Sequence, residues 1–309
     1  GRQRLRTPAN SEEGPSGGFK VKKHPLMAGI LFFGILAVLF FLFVYTSTSL
    51  EGSGNRIGLV KIEGVILESS DTIDEILDFR DNDGIQAIIL RIDSPGGGVV
   101  PSQEIYEEVL KIRQKGEKKV VVSMGTVAAS GGYYIASASD QIVANPGTLT
   151  GSIGVIMELA NLEGLMDKIG VESVVIKSGK NKDVGSPFRE MAPEDRALLQ
   201  RLMDDVHNQF IEAVAGGRGL ELDQVREMAD GSVFTGLQAK DLGLVDEIGN
   251  LQDTIELTAE LAGIEGEPRI IEHREKGSVM ELLQSRFRAV LPEMHLPGAG
   301  VSLQYLMAF

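Results

Sequence analysis

The sequence predicts an α/β fold built on a mostly parallel sheet, and three observations carry that expectation. Short β-branched apolar runs alternate with stretches of helical period from Ile57 to Ala144. The runs Ile85 to Ile92 and Val120 to Met124 are strongly apolar and do not alternate, as strands are when both faces of a sheet are covered. Each of these two leads, through a glycine-rich turn, into helical sequence, IDSPGGG after the first and AASGG after the second.

In chain order, residues 1–25 are polar and read as a disordered tail. Leu26 to Tyr45 is an uncharged apolar run of the length that crosses a bilayer as a helix. Six basic residues against two acidic ones precede it, which predicts a cytoplasmic N-terminus, an extracytoplasmic remainder and an uncleaved single-pass anchor in the cell membrane. Residues 46–56 read as a flexible linker and 57–265 as the folded domain. Within it the expected strands are Ile57 to Ile62, Ile85 to Ile92, Val120 to Met124, Gln141 to Ala144 and Val171 to Ile176. The expected helices are Thr72 to Phe79, Gln103 to Gln114, the turn following Ser130, and Asn161 to Ile169. A longer helix starts at Pro193 with Glu194 and Asp195 in its first turn. Its core stripe is Leu199, Leu202, Met203, Val206, Phe210 and Val214, and the glycine pair Gly216 and Gly217 marks its expected end. Helices over Leu222 to Met228 and Leu251 to Leu261 follow, and residues 266–309 form a C-terminal extension of mixed character.

Composition removes several classes of function. The net charge is −14, and because the first 25 residues carry +4 the remainder carries −18, which argues against nucleic acid as a partner. The absence of cysteine excludes disulfides, zinc–thiolate sites and thiol nucleophiles. His24, His207, His273 and His295 show no metal-binding spacing, so neither a metal nor a cofactor is expected.

Two glycines in the first turn of a helix, Gly131 and Gly132, each cost roughly 1 kcal/mol relative to alanine. A chain accepts that cost where it needs close backbone approach or free N–H groups. Ser130 immediately before them is either a helix cap or a hydroxyl set beside unpaired backbone donors, the arrangement that acyl transfer uses. IDSPGGG lacks the lysine of a phosphate-binding loop but also exposes backbone N–H groups. Two such turns at the carboxyl ends of neighbouring strands face one crevice. A nucleophilic serine needs a base, and His207, His273, His295, Lys177, Lys180 and Lys182 are all candidates. A lysine serves only if burial lowers its pKa from about 10.4 toward neutrality, a change of about 4 kcal/mol. The residues by themselves leave that choice open.

The apolar anchor followed by IDSPGGG, GTVAASGGYYIASASD, NPGTLTGSIGV and KSGKNKDVGSPFREM, in that order, resembles the signal peptide peptidase A family in its short form, over about residues 57–260. The resemblance implies the Clp/crotonase-like ββα superhelix with a parallel sheet, preceded by one transmembrane helix. It also implies a serine endopeptidase acting on remnant signal peptides and other membrane-associated polypeptides. By motif position Ser130 is then the nucleophile, Lys182 the general base and Ser152 the hydroxyl that orients the lysine. Gly131 with Gly97 or its neighbour Gly96 supplies the oxyanion donors. The family further implies a homo-oligomeric bowl-shaped ring, octameric in the short form, in which the lysine reaches the serine of an adjacent copy. Competing readings are a Ser-Lys membrane protease with another substrate such as stomatin-like proteins, a hydratase that polarises a thioester, and a non-catalytic membrane scaffold.

Overall fold

The computed structural model describes residues 33–42, 55–273 and 304–307. The chain forms two units, divided after Gly52. In the first, residues 33–42 form a helix, α1, with Phe33, Phe40 and Phe41 exposed. Among the described residues no helix is long and apolar enough to cross a membrane. The expected span of residues 26–45 lies outside the described residues at both ends.

The second unit opens with β1 (Arg56–Glu63), α2 (Ser70–Asp81), β2 (Ala87–Ser94), a three-residue strand β3 (Gly96–Gly98) and α3 (Val99–Lys115). There follow β4 (Lys119–Ala129), α4 (Gly131–Ala136), β5 (Gln141–Ala144) and β6 (Leu149–Gly151). Then come α5 (Glu163–Ile169), the long α6 (Pro193–Arg218), α7 (Leu222–Met228), β7 (Val233–Thr235), α8 (Gly236–Asp241) and β8 (Glu247–Ile248). The unit closes with α9 (Leu251–Leu261), β9 (Arg269–Glu272) and β10 (Gln304–Leu306).

The main sheet runs β7-β6-β4-β2-β1-β9, with β5 and then β8 attached to the lower half of β4. All its pairings are parallel except β6 with β7. Alternation sorts the side chains of β1. Ile57 and Leu59 join Ile89 and Ala259 in a small core under α9, while Val60 and Ile62 face the larger core with Ile76, Val109 and Tyr133. Burial on both faces explains why β2 reads Ala-Ile-Ile-Leu without alternation before the half-buried Arg91. Among the described residues, two strands lie beyond residue 265. β9 extends the sheet beside β1, and β10 pairs with β3.

Three expectations need correction. Val171 to Ile176 is not a strand. Val174, Val175 and Ile176 are 78%, 51% and 97% exposed, and the run pairs with no strand of the sheet, so its composition alone does not secure a ladder. The helix expected to stop at Gly216 and Gly217 continues to Arg218 and ends on left-handed Gly219. Of its expected core stripe, Phe210 and Val214 are buried, whereas Leu202 is 48% exposed and Leu199, Met203 and Val206 are only half-buried.

Gly217 serves packing instead. A Cβ there would lie 2.0 Å from the backbone oxygen of Ser137 at the end of α4. Gly217→Ala is therefore expected to destabilise the protein by about 1–3 kcal/mol, since backbone cannot move aside as a side chain can. Thermal unfolding measures this, and an unchanged Tm would contradict it.

Candidate active site

The site begins with a bulge. β2 and β4 are in register from Ala87 with Lys119 to Ile92 with Met124, and the next pair is Ser94 with Ala128. Four residues of β4 thus oppose two of β2. Asp93 organises the excess. Its carboxylate accepts a 3.0 Å hydrogen bond from the Val127 N–H, and only a glycine fits at 125, where a Cβ would come within 2.6 Å of the Asp93 carboxyl carbon. The bend lets β4 leave β5 behind and pair with β6 through Val127, Ala128 and Ala129.

Adjacent strands β4 and β6 then end side by side, Ala129 opposite Gly151. The residue after each adopts a positive φ, 52° at Ser130 and 49° at Ser152, and these are the only non-glycine residues with positive φ among those described. Such backbone costs of order 1–3 kcal/mol each and persists only where surrounding structure enforces it. Here the Ser130 N–H donates to the Gly151 carbonyl at 2.8 Å, and the Ser152 N–H donates to that of Ser232 at 2.8 Å. The Ser130 carbonyl accepts from Tyr134 N–H, opening α4, but its hydroxyl makes no capping bond. That hydroxyl is buried and has no hydrogen-bond partner. An unsatisfied buried hydroxyl is costly, so Ser130 is not explained as a helix cap.

The glycine turn of β3 lies against it. A Cβ on Gly131 would fall 2.5 Å from the Ser102 hydroxyl and 3.2 Å from the Gly97 nitrogen, so the two turns do meet in one crevice. Gly96 N–H is engaged by the Ser94 hydroxyl at 3.1 Å. Gly97 is hemmed in on its other side by Ile66, whose oxygen would lie 2.1 Å from a Cβ at 97. Ser102, in the first turn of α3, donates to the Gly98 carbonyl and buttresses this arrangement. Nothing in the sequence singled it out except its position four residues after the glycine run.

The C-terminal segment fills the groove. β10 runs antiparallel to β3, with Tyr305 opposite Gly97 and Leu306 opposite Gly96. Met307 N–H donates to the Pro95 carbonyl, and the antiparallel ladder then makes Gly97 N–H the donor to the Tyr305 carbonyl. On its other edge Gln304 exchanges backbone bonds with Ile156. The Tyr305 ring is fully buried, stacked 5.2 Å from Tyr134 and tilted at 54° against Phe210, 4.8 Å away. Burial pushes the Tyr134 hydroxyl up to about 12 and raises that of Tyr305 as well, so both remain neutral donors at any physiological pH. Beyond Leu306 and Met307 the groove opens into a cleft of about 400 Å³ walled by Ser152, Met203 and His207.

The basic candidates separate. Lys177 is ion-paired with Asp183 at 2.6 Å, which fixes it as a charge partner. His273 lies edge-on to Phe79, and His295 falls outside the described residues. His207 lines the cleft with its Nε2 buried and unpartnered. Lys180 and Lys182 are exposed on a loop, and their side chains have no hydrogen-bond or ion-pair partner among the described residues. One copy of the chain therefore brings together Ser130, Ser152, Gly131, Gly97 and Gly96, but does not bond Lys182 to Ser130. Among the described residues no group of three metal-ligating side chains occurs.

Residues 112–265 match the profile of Peptidase family S49, and residues 65–147 match that of Clp protease. The chain carries a peptidase family S49 domain. Its sheet and crossovers are those of the Clp protease-like α/β fold. A protein of Synechocystis sp., provisionally named a protease, is 53% identical over 180 residues, covering 58% of this chain and 64% of that protein. One of Enterococcus faecium, provisionally named signal peptide peptidase SppA, is 34% identical over 220 residues, or 67% and 64% of the two chains. Protease 4 of Salmonella typhi is 34% identical over 266 residues, 81% of this S49 chain and 42% of the relative. The match thus spans less than two thirds of each relative's length.

Proposed function

We propose that the protein is a membrane-anchored serine endopeptidase whose nucleophile is Ser130. The observation that carries this reading is the buried, unpartnered Ser130 hydroxyl on strained backbone, next to a groove in which an extended peptide already lies across the Gly97 N–H. In the proposed reaction the Ser130 Oγ attacks a peptide carbonyl as its proton passes to Lys182. Gly97 and Gly131 N–H groups hold the oxyanion, and the amine leaves with the proton. Water, losing its proton to the same lysine, then hydrolyses the acyl-enzyme and frees Ser130. Ser152 orients the lysine.

A lysine acts as a base only where water is stripped from it, and Lys182 is exposed within one copy. The reading therefore needs a second copy to bury it. The exposed β-branched run Val174–Ile176, which pairs with no strand of its own chain, supports such an assembly, a ring with sites shared between neighbours. The two-sided strand groove admits only extended backbone, which suits unfolded segments such as remnant signal peptides released at a membrane. Anchoring through residues 26–45 would hold the domain beside them.

A serine-directed phosphonate probe tests the nucleophile: mass spectrometry should find the adduct on Ser130 and nowhere else. Mixing Ser130→Ala with Lys182→Ala protein tests the sharing. Each is inactive alone, and recovery of cleavage on mixing is expected; adduct formation at another serine would sink the assignment. Because substrate and β10 compete for one edge, removing residues 304–309 should raise kcat/KM for peptides several-fold, about the factor by which a tethered strand dilutes the open groove. An unchanged kcat/KM would place substrate elsewhere.

A further inference from the structure

The loop that carries Lys182 has almost no apolar support, yet one charge cluster holds it. Asp183, the next residue, accepts from Arg189 through both oxygens, Nε to Oδ2 at 3.0 Å and Nη2 to Oδ1 at 3.2 Å. Arg189 Nη2 also donates to the Asp183 backbone carbonyl at 3.1 Å. Lys177 Nζ reaches Asp183 Oδ1 from the other side at 2.6 Å. The guanidinium's remaining arm donates at 2.6 Å to Asp195, whose carboxylate also caps the first turn of α6 through Ala192 N–H. Asp183 and Asp195 side chains are each only 10% exposed, although the loop around them is open to water.

We propose that Arg189, with Asp183, is a positioning residue that fixes the Lys182 turn to the N-terminus of α6 and so sets the direction in which the lysine is presented. This rests on Lys182 being the base. A planar fork that bridges two carboxylates and a carbonyl fixes orientation, which a lysine's single ammonium cannot do. Where apolar contacts are few, such a bridge decides whether a segment has one conformation. The ionisation of Asp183 agrees: Arg189 first, then Lys177, lowers its carboxyl to about 2 from 3.8. A depressed carboxyl contributes its ordering above the unfolded value and loses it as pH falls toward 2, so the clamp is closed throughout the physiological range.

The test compares Arg189→Gln and Asp183→Asn in the full-length assembled protein. Each is expected to lower kcat by about 10- to 100-fold while KM for a short peptide stays within about threefold, the signature of lost alignment and not of lost binding. Arg189→Lys should recover little. In a Lys182→Ala background Arg189→Gln should change residual turnover by less than twofold, because the group it positions is gone. Limited proteolysis provides a readout free of activity, with both clamp variants expected to be cut faster between residues 177 and 190. Equal proteolysis rates, or full kcat in both variants while Lys182→Ala is inactive, would overturn the clamp. If instead Lys182→Ala cleaves normally, the base assignment fails, and the proteolysis result alone decides whether the clamp exists.

Discussion

Ser130→Ala is expected to lower kcat for peptide hydrolysis by on the order of 10⁴- to 10⁶-fold, with no loss of folded protein. The size of the effect follows from chemistry. Without Oγ no acyl-enzyme forms, and only oxyanion stabilisation and binding remain. The stability half of the expectation is specific to this structure. Because the Ser130 hydroxyl is buried and makes no hydrogen bond, alanine breaks nothing and relieves an unsatisfied polar group, so the melting temperature should hold or rise. Ser130→Gly should be more stable again, since φ is +52° and glycine alone takes that backbone without strain. Activity and thermal melts on the three proteins check both halves. Residual turnover above about 1% in Ser130→Ala would remove it as nucleophile, and a large fall in Tm would show that the hydroxyl holds the fold together after all.

Gly97→Ala should give the second largest effect, a fall in kcat of about 10²- to 10³-fold, comparable to removing one oxyanion donor. The added methyl would sit 2.1 Å from the oxygen and 2.6 Å from the nitrogen of Ile66. Both are backbone atoms held by their own bonds, Ile66 N–H to the Gly96 carbonyl and Gly98 N–H to the Ile66 carbonyl. The chain at 97 must therefore move relative to Gly131 and to the peptide in the groove. A stability loss of about 1–3 kcal/mol should accompany it. Gly147→Ala is the control, because a Cβ there meets nothing within 4 Å, and it should leave both rate and stability as they are. Equal activity of the two variants would show that β3 does not supply the oxyanion donor.

Much of the site was legible in the residues because its parts are local. A glycine pair after a serine is unfavourable in a helix unless backbone approach is needed, and the structure shows that need at Gly131, packed on Ser102 and Gly97. The meeting of the two glycine turns followed from their sharing the carboxyl end of neighbouring parallel strands, β2 and β4. What was not legible depends on partners distant in the chain. Val171–Ile176 has strand composition, yet propensity cannot say whether a segment will find a partner, and here it pairs with no strand of the sheet. Tyr305 lies about 200 residues from Gly97, and no periodicity in LQYL announces that it will complete the groove. In the Asp183–Arg189–Asp195 bridge the spacing of the charges alone does not distinguish a bridge from solvated side chains, and only the position of α6 brings the two carboxylates to one guanidinium.

The sequence by itself determined the alternation of strands and helices, the apolar run at residues 26–45, and a serine framed by glycines, since each is set by side-chain period or backbone freedom within a few residues. Only the tertiary structure decided that β4 bulges around Asp93 to bring Ser130 beside Ser152, that the chain's own C-terminal strand occupies the groove, and that Lys182 stands exposed in a single copy. Those are matters of which distant surfaces satisfy each backbone group and which charge is left in water, and no local stretch of chain contains that information.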